Sequence, residues 1–173
     1  KGFEDGDAGT LSRDPVMRSI SNQIRKITEA NIVGFGANSR YLSELGIQTK
    51  RDGTLLINER SFKEAVEKDP SSYDAIFNSS ITSNNSNLLI NKTSFSKPKP
   101  GTYSYIHSSG ESYLDNIKLL KGTDSVTGLD YYSATSGDPN GITIIPQSSV
   151  SSASIYIGES MLDKMDTYIE NIL

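Results

Sequence analysis

Ile47-Gln-Thr-Lys-Arg-Asp-Gly-Thr-Leu-Leu-Ile-Asn-Glu59 admits two readings, and the choice between them sets the fold of the first part of the chain. Asp-Gly followed six residues later by Glu is how a calcium-binding EF-hand loop ends. Such a loop also needs oxygen ligands at its first, third and fifth positions. With Asp52 in fifth place, Gly53 and Glu59 fall correctly, but Gln48 and Lys50 occupy the first and third. A lysine ammonium repels a cation, and the anchoring carboxylate is missing. The same residues fit a tight hairpin, with strands at 47–50 and 54–57 joined across Arg51-Asp52-Gly53. Leu55 and Ile57 then form one strand face, and Glu59 sits at the entrance of the next helix, where a carboxylate complements the dipole.

Working outward, the neighbours of the hairpin are helical. Ser12 or Asp14 can cap a helix with Pro15 in its first turn. Met17, Ile20, Ile24 and Ile27 recur at spacings of three, four and three, a narrow apolar seam of the kind used in bundles. Gly34 and Gly36 are expected to end this helix. A short helix follows over 39–45, with Gly46 suited to its left-handed stop. After the hairpin, Asn58 or Ser61 opens a helix with Phe62, Ala65 and Val66 on one face. Pro70 breaks it, and 71–77 adds another turn or two.

Beyond residue 77 the character changes. Of the first 77 residues 23 are charged, against 15 of the remaining 96, and the later part is rich in Ser, Thr, Asn and Tyr. Asn78 to Asn87 reads as turns and solvated chain. Short β-type runs follow at 87–91, 101–107, 113–120, 129–132, 141–145 and 153–157, with Asp138-Pro-Asn-Gly141 as the strongest turn. From Ser160 the period returns to helical, and Leu162, Met165, Ile169 and Ile172 form a second seam. The expected fold class is α+β. A helical segment with a hairpin occupies 1–77, an inserted antiparallel β module (sandwich or open barrel) 78–158, and a returning helix 159–173.

Composition narrows the function. A net charge of −4, with no basic stripe, argues against a nucleic-acid partner. Nothing reaches 18 consecutive apolar residues, so no membrane insertion is expected. Without cysteine there is no disulfide framework, thiolate zinc site or cysteine nucleophile, and a single histidine makes a metal site or cofactor a poor expectation. His107 lies in a strand-like run with no nucleophile elbow nearby, and reads as a packing or surface residue. Gly34-Phe-Gly36 lacks the third glycine of a dinucleotide fingerprint. Lys97-Pro-Lys-Pro-Gly101 reads as a stiff linker. Tyr103, Tyr105, Tyr113, Tyr131, Tyr132 and Tyr156 could instead line a sugar-stacking face, so an adhesion or carbohydrate-binding module is the alternative. Sequons stand at Asn78, Asn84 and Asn91. Polar beginning and helical end suggest an excised fragment.

Taken together, residues 9–77 resemble the flagellar filament cap protein family, also called hook-associated protein 2. Gly9, Leu11, Asp14, Arg18 and Ile20 match its first helix. Leu42, Gly46, Ile47, Asp52, Gly53 and Leu55 match its hairpin, and Phe62, Ala65, Pro70 and Phe77 its next helical stretch. Pro15 departs from the small hydroxyl residue more usual there. The stretches 141–146 and 154–162 are similar to the strand pair and returning helix of family members that carry an extra module. The resemblance implies a structural protein and not an enzyme, exported to the extracellular tip of the flagellum. Its partners would be copies of itself, in a ring, and flagellin. Residues 1–77 and 159–173 would form the leg domain. Met17, Ile20, Ile24 and Ile27 would pack with Leu162, Met165, Ile169 and Ile172, the candidates for self-association.

Overall fold

The computed structural model describes residues 14–38, 40–50, 54–93 and 96–172. Gly9, Leu11, Ser12, Ser39, Asp52 and Gly53 lie outside them. The chain divides into two compact units: one from residues 1–32, 40–77 and 160–173, the other from 33–39 and 78–159. The class is α+β, with four helices and several antiparallel sheets among the described residues.

In the first unit, α1 (Pro15–Glu29) begins at Asp14, whose Oδ1 accepts from the amides of Val16 (2.7 Å) and Met17 (3.2 Å). It ends well before Gly34, contrary to expectation. Ala30 turns extended, and Ile32 pairs with Arg40 in an antiparallel bridge that a helix could not make. The predicted helix over 39–45 is a single 3-10 turn at Leu42–Leu45, stopped by Gly46 at φ 75°. Strands β1 (Ile47–Thr49) and β2 (Leu55–Ile57) pair antiparallel, and the Lys50 amide donates to the Thr54 carbonyl at 2.8 Å. The capped helix start is at Asn58, whose Oδ1 accepts from the Ser61 amide, and α2 (Glu59–Lys68) stops before Pro70. Helix α3 spans Ser71–Phe77, and α4 (Met161–Glu170) starts from Ser160, whose hydroxyl accepts from the Asp163 amide at 3.1 Å. Arg40 fastens this unit from within: its guanidinium reaches Asp69 and the Ser72 hydroxyl, both at 2.6 Å.

The second unit holds two sheets around one core. β3 (Ser80–Ser83), β11 (Ser152–Gly158), β5 (Gly101–Ser108), β6 (Glu111–Leu114) and β7 (Ile117–Lys118) form one sheet in that order. β4 (Leu88–Lys92), β10 (Ile142–Pro146), β9 (Asp130–Ser133) and β8 (Leu120–Thr123) form the other. Period-two patterning decides which side chains go inward. Tyr103 and Tyr105 on β5, Ile142 and Ile144 on β10, and Ile155 and Ile157 on β11 are all buried in a single cluster.

Three expectations need correcting here. Asn78 to Asn87 is not all turn, because β3 pairs with β11 through Ile81↔Ile157 and Ser83↔Ile155, and the Asn84 Oδ1 accepts from the Ser154 amide. The run 113–120 is not one strand. Asp115 at φ 52° turns the chain between β6 and β7, and β8 begins at Leu120. Lys97-Pro-Lys-Pro leads into β5 as a linker and is held in place: the Lys99 amide donates to the Asp138 carbonyl at 2.7 Å, and the Lys99 carbonyl accepts from the Tyr103 hydroxyl at 2.7 Å. Gly34-Phe35-Gly36, expected to stop a helix, instead belongs to this unit. Phe35 is 2% exposed, with its ring against Gly158.

Candidate functional site

Within the first unit α1 packs against α4. Of the seam residues, Ile20, Ile24, Ile27 and Met165 are half-buried, while Met17, Leu162, Ile169 and Ile172 are exposed. Thr28 is the buried residue of α1, and its hydroxyl donates to the Arg25 carbonyl and accepts from the Thr49 hydroxyl on β1 (2.9 Å). Elsewhere in this unit, Leu55, Leu56 and Ile57 are all exposed, so both faces of β2 are uncovered and not one alone. Tyr73 and Phe77 stand exposed with ring centroids 4.8 Å apart. Among the described residues, exposed large apolar side chains in this unit outnumber buried apolar ones, eleven to seven. In the second unit the balance is five to thirteen. The first unit thus leaves more large apolar side chains exposed than it buries, the reverse of the second.

The second unit carries a cleft of about 340 Å³, lined by residues that include His107, Asp130, Tyr132 and Ser148–Ser151. It brings together three stretches far apart in sequence, with no local pattern to announce it. His107 Nδ1 lies 2.8 Å from the Ser112 hydroxyl, which is 3.1 Å from the Tyr105 hydroxyl, and the imidazole meets Tyr132 edge-on at 5.5 Å. This is not a catalytic triad. Ser112 is 1% exposed and out of reach of a substrate. The Asp130 carboxylate is engaged by Lys121 (2.7 Å) and Thr123 (2.8 Å), and those contacts hold it below the usual carboxylate range. In a triad the serine paired with the imidazole is the one that attacks, and here that serine is sealed in the core, while the acid is held by Lys121 and Thr123. Of the six tyrosines read as a stacking face, Tyr103, Tyr105 and Tyr132 are buried in the core.

Among the described residues no three His, Asp or Glu side chains gather as a metal site, and no helix is long and apolar enough to cross a membrane.

Residues 1–127 match the family described as flagellar hook-associated protein 2 C-terminus. The chain belongs to that family. A 77-residue stretch, 44% of the chain, is 34% identical to the lateral flagellar hook-associated protein 2 of Vibrio parahaemolyticus serotype O3:K6 (strain RIMD 2210633). That match spans 16% of the relative's length, so the likeness to this hook-associated protein 2 concerns a small part of it. No solved structure matches. Nothing in these matches to hook-associated protein 2 supports an adhesion module.

Proposed function

We propose that this chain is part of a filament cap: a structural, non-catalytic protein at the extracellular tip of the bacterial flagellum. There it would associate with copies of itself in a ring and hold flagellin while it folds and inserts. The observation that carries this reading is the family match over residues 1–127. The apolar excess on the surface of the first unit supports it, because work done through interfaces needs surface kept out of the protein's own core. In this reading 1–77 and 159–173 form the leg and 78–158 an inserted module. Met17, Ile20, Ile24 and Ile27 on α1 and Leu162, Met165, Ile169 and Ile172 on α4 are the packing residues. The exposed Met17, Leu162, Ile169 and Ile172 are then the part that self-association covers. No nucleic acid, membrane insertion, metal or cofactor enters the mechanism.

Light scattering on the full-length protein and on residues 1–173 tests the assembly. The full-length protein should form a closed oligomer of one defined size, and changing Leu162 and Ile169 to Lys should reduce it. A full-length protein that stays monomeric at every concentration tried would defeat the proposal.

A further inference from the structure

The cleft beside His107 has a polarity that follows from the hydrogen-bond chain behind it. Tyr105 is 0% exposed, and burial pushes its phenol up against the opposing effect of the Ser112 hydrogen bond, so it keeps its proton. A buried hydroxyl proton needs an acceptor, and the Ser112 oxygen is the partner at hand, 3.1 Å away. With that proton accepted, Ser112 has its own to give, and His107 Nδ1 stands 2.8 Å away. Were Nδ1 the donor, the Ser112 oxygen would accept from both neighbours and its own proton would be stranded in the core, where Ser112 is 1% exposed. Nδ1 is therefore an acceptor, and the imidazole carries its proton on Nε2, at the ring edge turned away from the buried Ser112.

The cleft wall adds further donors. The amides of Ser148, Ser149, Val150 and Ser151 have no hydrogen-bond partner among the described residues, whereas the flanking Gln147 amide donates to the Asn87 carbonyl. Pro146 and Val150 supply apolar lining. Charge is balanced, since Lys121 sits on the one carboxylate, Asp130. An anion would find no spare cation here. What fits is a neutral group offering carbonyl oxygens in series along with an apolar side chain.

We propose that this cleft binds a short, uncharged, extended peptide segment, with His107 Nε2–H and the free amides of the Ser148–Ser151 loop donating to its carbonyls. This assigns the second unit a ligand independently of the cap reading. Its volume, about 340 Å³, is at the small end of ligand pockets, enough for a few residues.

The test is NMR on the ¹⁵N-labelled chain, in which His107 is the sole histidine and its ring nitrogens are unambiguous. In the free protein the ring should show protonated Nε2 and unprotonated Nδ1. Titration with acetyl-Ala-Val-Ala-amide should move the His107 ring signals and the Ser148–Ser151 amides together and saturably. His107→Phe, which keeps a ring against Tyr132, should weaken binding about tenfold, the loss of roughly one hydrogen bond. Acetate, phosphate and methyl glucoside at matched ionic strength should leave those signals in place. A proton on Nδ1, no saturable response to the peptide, or a response to an anion or the glucoside in its stead would each overturn the proposal. Should His107→Phe not fold, the ring-nitrogen and titration results on the unaltered chain decide alone.

Discussion

Gly34→Ala should be one of the costliest single-methyl additions in the second unit. A Cβ at this position would lie 1.8 Å from the Ile157 carbonyl oxygen and 2.8 Å from the Gly158 nitrogen, both backbone atoms of β11, and Gly34 holds φ at +82°. The left-handed conformation alone costs a non-glycine residue about 1–2 kcal/mol. The collision adds to that until releasing the 33–39 segment becomes cheaper, and release means withdrawing Phe35 from its 2%-exposed seat. Losing that seat costs about 3–5 kcal/mol, the range for deleting a buried Phe side chain, so the total is capped near there. Gly36 is the internal control. It holds a similar φ of +88° and an added methyl would meet nothing within 4 Å, so Gly36→Ala should cost only the conformational share, about 1–2 kcal/mol. Because Gly34→Ala already frees Phe35, adding Phe35→Ala should cost little more, about 1 kcal/mol or less. Urea unfolding followed through the amide signals of Ile144 and Ile155, both fully buried in the sandwich, reports on the second unit specifically. Equal destabilisation by Gly34→Ala and Gly36→Ala, or full additivity with Phe35→Ala, would refute the close-approach argument.

Removing the α1 cap with Asp14→Ala should cost about 1 kcal/mol in the first unit and fray the first turn, seen as faster amide exchange at Val16 and Met17. Asp69 gives a pH dependence: burial pushes its carboxyl up, but hydrogen bonds from Ser71 and Arg40 outweigh it and hold the pKa below 3.8. A depressed folded-state pKa stabilises above the unfolded value, and the gain is lost as pH falls below about 3.8 toward the folded pKa. Asp69→Asn should therefore flatten the acid limb of the first unit's stability, by about 1 kcal/mol at most since the side chain is 47% exposed. An unchanged acid limb would show that the pair contributes nothing. Ile155→Ala, at a site with 0% exposure, should cost about 2–5 kcal/mol, measured by the same urea series.

What could be read from sequence was what is decided locally. The Asn58 cap, the left-handed stop at Gly46, the strands on either side of Asp52-Gly53 and the helix start at Ser160 each depend on a few adjacent residues. What could not be read depends on distant partners. Ser80–Ser83 has the composition of a loop and becomes a strand because β11, some seventy residues later, offers it a ladder. Asp115 bends a run that alternates well enough for one strand, at a φ that nothing but its own tolerance for the left-handed region foretells. Gly34-Phe35-Gly36 carries a helix-stop signal, yet its glycines serve a close approach to Ile157. The cleft was beyond sequence reasoning for the same reason: Asp130 and Ser148–Ser151 meet His107 only through the sheet order. Family identity was legible in 9–77 because its marks are the local kind, turns, caps and apolar spacings, while part of those marks (Gly9, Leu11, Asp52, Gly53) lies outside the described residues.

The most direct measurement is where the full-length protein sits in the cell that makes it. Immunogold labelling of intact flagella should give a single cluster at the distal end of each filament. Label distributed along the filaments, or confined to the cell body, would contradict the cap account.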